Sequence, residues 1–172
     1  MEHKMIRKLL FMTVLVGLSL VSVSAQQKPD FSGTWKLNVA KSDFGILGGP
    51  TSRTDVITHK DPSLVVSGTA EGPQGKQEVT LNYTTDGKEA VNKIGDREIK
   101  STLKWAGSNL VINSKFIYND ADVVGEETWT LSADGKTLTI ARHFSSSLGE
   151  ADQKFVLEKQ EAAAPAAPAK TP

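Results

Sequence analysis

Residues 99 to 118 read IKSTLKWAGSNLVINSKFIY, and their alternation about one tight turn decides the fold. On either side of Ala106-Gly107-Ser108-Asn109, every second residue belongs to one mainly apolar set, the pattern of two strands that each bury one face. Counting outward sets Trp105 against Leu110, Leu103 against Ile112, Ser101 against Ser114 and Ile99 against Phe116. Apolar meets apolar and polar meets polar. A one-residue slip would turn every one of these side chains to the other face.

The count continues downstream. A turn over Asn119 to Asp122 sets Leu110 against Leu131, Ile112 against Trp129 and Ser114 against Glu127. Asp134-Gly135 sets Leu131 against Leu138, Trp129 against Ile140 and Glu127 against Arg142, and the loop from Ser146 to Gly149 adds Leu157, Phe155 and Gln153. Five strands thus agree on one inner face, a consistency that a wrong register should not produce. One row of it is wholly polar: Ser101, Ser114, Glu127, Arg142 and Gln153. Apolar rows bracket it, with Leu103, Ile112, Trp129, Ile140 and Phe155 on one side and Ile99, Phe116, Gly125, Phe144 and Ala151 on the other. Counting back through Gly95-Asp96 and Asp86-Gly87 brings Ala90 and Tyr83 into the polar row.

Upstream, the same alternation between turn signals such as Lys60-Asp61-Pro62-Ser63 gives further strands. The expected spans are 31 to 39, 53 to 59, 64 to 71, 76 to 85, 88 to 94, 97 to 105, 110 to 118, 123 to 132, 137 to 145 and 150 to 159. No segment has a convincing helical period. The expected fold is all-β, an antiparallel up-and-down meander of about eight to ten strands closed into a barrel, which removes exposed edges.

Both chain ends read differently from this domain, which covers residues 26 to 160. Lys4, Arg7 and Lys8 precede an apolar run from Leu9 to Val23 and small residues at Val23-Ser24-Ala25, the pattern of a signal peptide over residues 1 to 25, cut before Gln26. The competing reading, a membrane anchor, meets an apolar run shorter than the roughly 20 residues of a bilayer span. Export to the periplasm or the exterior follows, with no integral membrane span once the leader is removed. Residues 161 to 172, EAAAPAAPAKTP, form a Pro/Ala tail with nothing bulky to bury.

Composition excludes several classes. With no cysteine among 172 residues, the chain is neither a disulfide scaffold nor a thiol enzyme nor a Cys-ligated zinc domain. Its 20 basic and 20 acidic residues leave no electrostatic footprint for nucleic acid. Loss of the leader removes Lys4, Arg7, Lys8 and Glu2, leaving 17 basic and 19 acidic residues.

Two readings of the inner polar row stand side by side. In the first, it lines a cavity for a small hydrophobic or amphipathic molecule: Arg142 holds an anionic or polar group, Glu127, Ser101, Ser114, Gln153 and Tyr83 orient it, and Trp129 and Phe116 supply apolar wall. In the second, Glu127 and Arg142 neutralise each other inside a filled core, and the protein is a structural or interaction module. Catalysis is not expected. Glu127 is the one candidate general acid, and a neighbouring Arg142 would lower its pKa and disfavour that role. His59 and His143 lie on different strands without a second ligand at metal spacing, so neither metal nor cofactor is expected. Ser145-Ser146-Ser147 serves a turn, and Gly72-Pro73-Gln74-Gly75 lacks the strand-to-helix setting of a phosphate cradle. Asp43 to Pro50, with Phe44, Ile46 and Leu47 among glycines, is either an apolar flap over one mouth or a plug at the bottom.

Phe31-Ser32-Gly33-Thr34-Trp35-Lys36-Leu37-Asn38 resembles the F-x-G-x-W opening of the calycin superfamily, the lipocalins and fatty-acid-binding proteins. The resemblance implies that Trp35 closes one end of the barrel beneath a basic side chain, here Lys159 or Arg142. The ten strands and the ending Leu157-Glu158-Lys159 look more like the fatty-acid-binding branch. Two departures qualify this. Residues 40 to 52 are too short and glycine-rich for that branch's two-helix lid, and Phe155-Val156-Leu157 stands where its Arg-x-Tyr carboxylate clamp would fall. The ligand class therefore does not carry over.

Overall fold

The computed structural model describes residues 28–161 apart from Gln74; the leader read over 1 to 25 and the tail from 162 onward lie outside the described residues. Ten strands follow in chain order: β1 Gly33–Leu37, β2 Ser52–Lys60, β3 Ser63–Gly72, β4 Gly75–Thr84, β5 Asp86–Ile94, β6 Arg97–Ala106, β7 Asn109–Tyr118, β8 Ala121–Leu131, β9 Thr137–Ser146 and β10 Gly149–Lys159. They form one sheet in the order β4-β3-β2-β1-β10-β9-β8-β7-β6-β5. Each expected strand is present, and the pairing of β1 with β10 rolls the meander into an up-and-down barrel.

Closure is incomplete between β4 and β5, the two edges of the sheet. The Asn92 side chain ties them there. The Asn82 N–H donates to Asn92 Oδ1 at 2.8 Å, and Asn92 Nδ2 donates to the Asn82 carbonyl at 3.0 Å. The hairpin count across Asp86-Gly87, which set Tyr83 in the row of Ala90, is therefore corrected: Ala90 pairs with Ser101 as expected, but no β4–β5 pairing sets Tyr83 against Ala90. A bulge against β6 between Asp86 and Glu89 bends the start of β5, and the two strands do not form a ladder. A cleft of about 350 Å³ opens along this seam between Glu78 and Val79 on one side and Ile94 and Arg97 on the other.

Registers across β6–β7, β8–β9 and β9–β10 agree with the sequence count. The β7–β8 register does not. Asn119 and Asp120 both have positive φ, 49° and 61°, and Tyr118 pairs directly with Ala121, so the turn has two residues rather than four. Positive φ at both central positions is the twist that two-residue hairpins favour, and Asn and Asp tolerate it. Leu110 accordingly faces Trp129, Ile112 faces Glu127 and Ser114 faces Gly125. Because the slip equals one strand period, the inner face survives and only its rows change. The single polar row becomes two half-rows: Glu127, Arg142 and Gln153 lie level with Ile112, whereas Ser101 and Ser114 lie level with Gly125, Phe144 and Ala151.

The floor of the barrel is aromatic. Phe31 and Trp35 are fully buried, and Trp35 Nε1 donates to the Phe31 carbonyl at 2.9 Å. The Phe31 ring packs on Trp105, Trp129 and His59 with centroids 5.9 to 6.1 Å apart. Lys159, opposite Trp35 in the β1–β10 ladder, holds Nζ 5.3 Å from the Trp35 ring, so it is the basic partner that the opening motif implied. Gly33 makes this possible. Its φ is +138°, and a Cβ there would stand 2.6 Å from Lys159 Cε.

At the opposite end, where β1 leads, the chain crosses the mouth as a strap from Asn38 to Thr51. Asp43 and Lys154 exchange backbone hydrogen bonds of 2.8 and 2.6 Å, and the Phe44 ring packs 5.1 Å from that of Phe155. Ile46 and Leu47 remain exposed. Of the two readings of this segment, the mouth-side one holds.

Candidate functional site

A cavity of about 590 Å³ opens at the mouth between the strap and the β3–β4 hairpin. Apolar wall comes from Leu47, Val79, Leu81, Ile94 and Phe155, and the charged lining from Arg53, Asp55 and Arg142. The floor is filled and the mouth is not.

Phe155 organises the charged wall. Its ring has the Arg142 guanidinium 4.6 Å and the Arg53 guanidinium 5.3 Å from its centroid, distances at which a cation is drawn to an aromatic quadrupole. Arg53 grips Asp55, with Nε at 2.9 and 3.0 Å from the two carboxylate oxygens and Nη2 at 2.8 Å. Asp55 is 1% exposed, so this ion pair is buried. Arg142 Nε approaches Glu127 Oε1 to 3.0 Å, but its N–H does not point at that oxygen, and the buried Nε makes no aligned hydrogen bond. Glu127 Oε2 accepts from Trp129 Nε1 at 3.2 Å. Burial, with the Glu127 carboxylate nearby, pushes the Tyr83 phenol above its ordinary value of 10, so Tyr83 stays neutral at physiological pH.

A second chamber of about 350 Å³ lies under the other side of the strap, lined by Phe116, Val123, Phe144, Leu148, Arg97 and Gln153 among others. Phe116 and Phe144 meet edge to face at 6.2 Å, and Arg97 lies over Phe116 and Tyr118 at 5.5 and 5.0 Å. Gly125 gives the Phe144 ring its room: a Cβ there would meet ring carbons at 3.0 Å.

The eight residues singled out from the sequence thus fall into three places. Arg142 lines the large cavity; Phe116 and Gln153 line the second chamber. Gln153 is also a tie, donating through Nε2 to the Gly48 carbonyl at 2.9 Å and, more weakly, to that of Phe44 at 3.4 Å. Glu127 and Trp129 form a bonded pair in the wall, Tyr83 packs against the core, and Ser101 and Ser114 bond each other at 2.9 Å. Sequence reasoning missed Arg53 and Asp55. They share the parity of Ile57 on β2, but it is the β1–β2 ladder, with Asp55 opposite Trp35, that shows this parity to face inward. His59 is a packing residue whose Nδ1 accepts the Phe31 N–H at 3.3 Å. Among the described residues no cluster of three or more His, Cys, Asp or Glu could hold a metal.

No sequence-family profile matches the chain, and no curated protein does. Solved structures match in fold. Zebrafish ileal bile acid-binding protein, crystallised with cholic acid, shares 17% identity at a TM-score of 0.52 over 76% of this chain and 98% of its own. A secretory abundant heat soluble protein from Ramazzottius varieornatus shares 12% identity at a TM-score of 0.56, covering 79% of this chain and 100% of that one. Secretory abundant heat soluble protein 4 of the same organism shares 13% at 0.52, covering 80% and 100%. The chain has a calycin-like β-barrel fold, the one its opening motif implied.

Proposed function

We propose that this protein is an exported binding barrel, not an enzyme, that takes up one small hydrophobic or amphipathic molecule through its mouth. The observation that carries the reading is the cavity of about 590 Å³ with two guanidinium groups on one aromatic ring in its wall. That volume lies within the roughly 300 to 1,000 Å³ of small-molecule sites, which pair apolar walls with a few polar groups. The similar fold of a protein crystallised with cholic acid supports it, and the leader pattern over residues 1 to 25 supports export. The rival reading, a filled structural barrel, describes the floor half well but leaves the mouth half without a purpose.

Native mass spectrometry of the purified protein tests occupancy, with a copurified small molecule as the expected result. Titration with amphiphiles tests the site: Arg142→Ala should weaken binding about tenfold, the scale of one lost polar contact worth about 1.4 kcal/mol. An unchanged affinity would remove Arg142 from the ligand site.

A further inference from the structure

Both arginines of the mouth cavity stand beside a carboxylate. Arg53 is held by Asp55, and Arg142 stands beside Glu127. Glu71, at the rim, faces Lys76 across the β3–β4 ladder, but Lys76 Nζ pairs with Glu78 at 2.6 Å, so the rim adds no free cation. Among the described residues, no cationic group of the wall is left without a carboxylate. An anionic head would therefore bring a charge that nothing answers, and would lie against a wall that already holds Asp55. An ammonium head would meet two guanidinium groups. Either ion bears the desolvation cost of burial without a new partner to offset it.

What the wall does offer is hydrogen bonding of both senses. The Arg142 guanidinium lines the cavity, and its buried Nε lies 3.0 Å from Glu127 Oε1 without an aligned hydrogen bond. The Asp55 carboxylate borders the cavity and accepts from Arg53, with lone pairs to spare. A hydroxyl or primary amide accepts from the one and donates to the other. A carboxylate can only accept, and an ammonium can only donate.

On the binding reading above, we propose that the cavity selects an uncharged amphiphile. Its hydroxyl- or amide-bearing head lies against Arg142 and Asp55, and its chain along Val79, Leu81 and Ile94. The pairing that answers both arginines also makes the selectivity switchable by a single substitution.

Calorimetric titration with three ligands of matched chain, 1-dodecanoylglycerol, dodecanoate and dodecylammonium, below their aggregation concentrations at about pH 7.5, tests this. The glycerol ester should bind the native protein about tenfold or more tighter than either ion, because each ion carries an unmatched buried charge. In Glu127→Gln, which frees Arg142, dodecanoate should gain about tenfold relative to the ester; in Arg142→Gln, dodecylammonium should gain instead. Dodecanoate binding the native protein as tightly as the ester, or tighter, overturns the proposal and leaves the binding barrel standing. Failure of all three ligands overturns both. Should either variant fail to fold by circular dichroism, the native ratio alone still decides.

Discussion

The two ends of the barrel bury different chemistry. At the floor, Phe31, Trp35, Trp105, Trp129 and His59 interlock, with Trp35 bonding the Phe31 carbonyl and His59 accepting the Phe31 N–H through Nδ1, while the buried His59 Nε2 has no hydrogen-bond partner among the described residues. At the mouth, charged groups are paired around a cavity, and apolar side chains such as Ile46 and Leu47 stay in solvent. Close packing stabilises a fold but excludes a guest, whereas a cavity admits a guest and forfeits contacts. The difference runs along the barrel axis, with close packing where β1 begins and β10 ends, and open volume where the strap crosses.

Removing a floor aromatic should have the largest effect. Phe31→Ala should cost about 3 to 5 kcal/mol in urea unfolding, the usual range for a buried Phe. A loss below about 1 kcal/mol would show that the floor does not carry the stability. Next in size is the seam. Asn92→Leu leaves the Asn82 N–H and carbonyl without their partner and should cost about 1 to 3 kcal/mol, with faster amide exchange at Asn82.

Acidification gives a smaller, signed effect. Burial holds the His59 pKa below its ordinary 6.5, against the pull of Asp30 and Asp61, while Lys28 lowers it further. The unfolded chain therefore takes up this proton first, and stability should fall as the pH drops from about 7 to 5. Exposed His143 works the other way: its bond to Asp152 raises its pKa, so its contribution is lost as the pH rises. Thermal melts across that window should show the loss in the native protein, and His59→Phe should flatten it. Smallest of all, Ile46→Ser at the mouth should change stability by no more than about 0.5 kcal/mol. A larger change would mean that the strap is part of the core.

Most of the fold was legible because short, marked turns allow registers to be counted, and from β8 through β10 that count gives the observed pairs. It slipped at Asn119 to Asp122 for a definite reason: two-residue and four-residue turns leave the same parity, so alternation cannot tell them apart. The charged site was less legible. In β2, Val56 and Ile57 are both β-branched and lie on opposite faces, one 48% and the other 2% exposed, so alternation alone does not say which face holds Arg53 and Asp55. The strap also separates β2 from Trp35 by too many residues for a hairpin count. The second basic group on Phe155 is therefore a property of the ladder between β1 and β2 and of no local pattern.

Asn92 has a mechanical consequence. A tube whose every neighbour is laced by backbone bonds can widen only by tearing a ladder, but a strip curled until its edges meet can change girth where it is buttoned. Here the Asn92 carboxamide is such a button, and the cleft between Val79 and Ile94 runs along the same edge as the cavity wall. The compliance of the barrel is thereby assigned to one line on its circumference, where widening would break the Asn92 hydrogen bonds and no β-ladder.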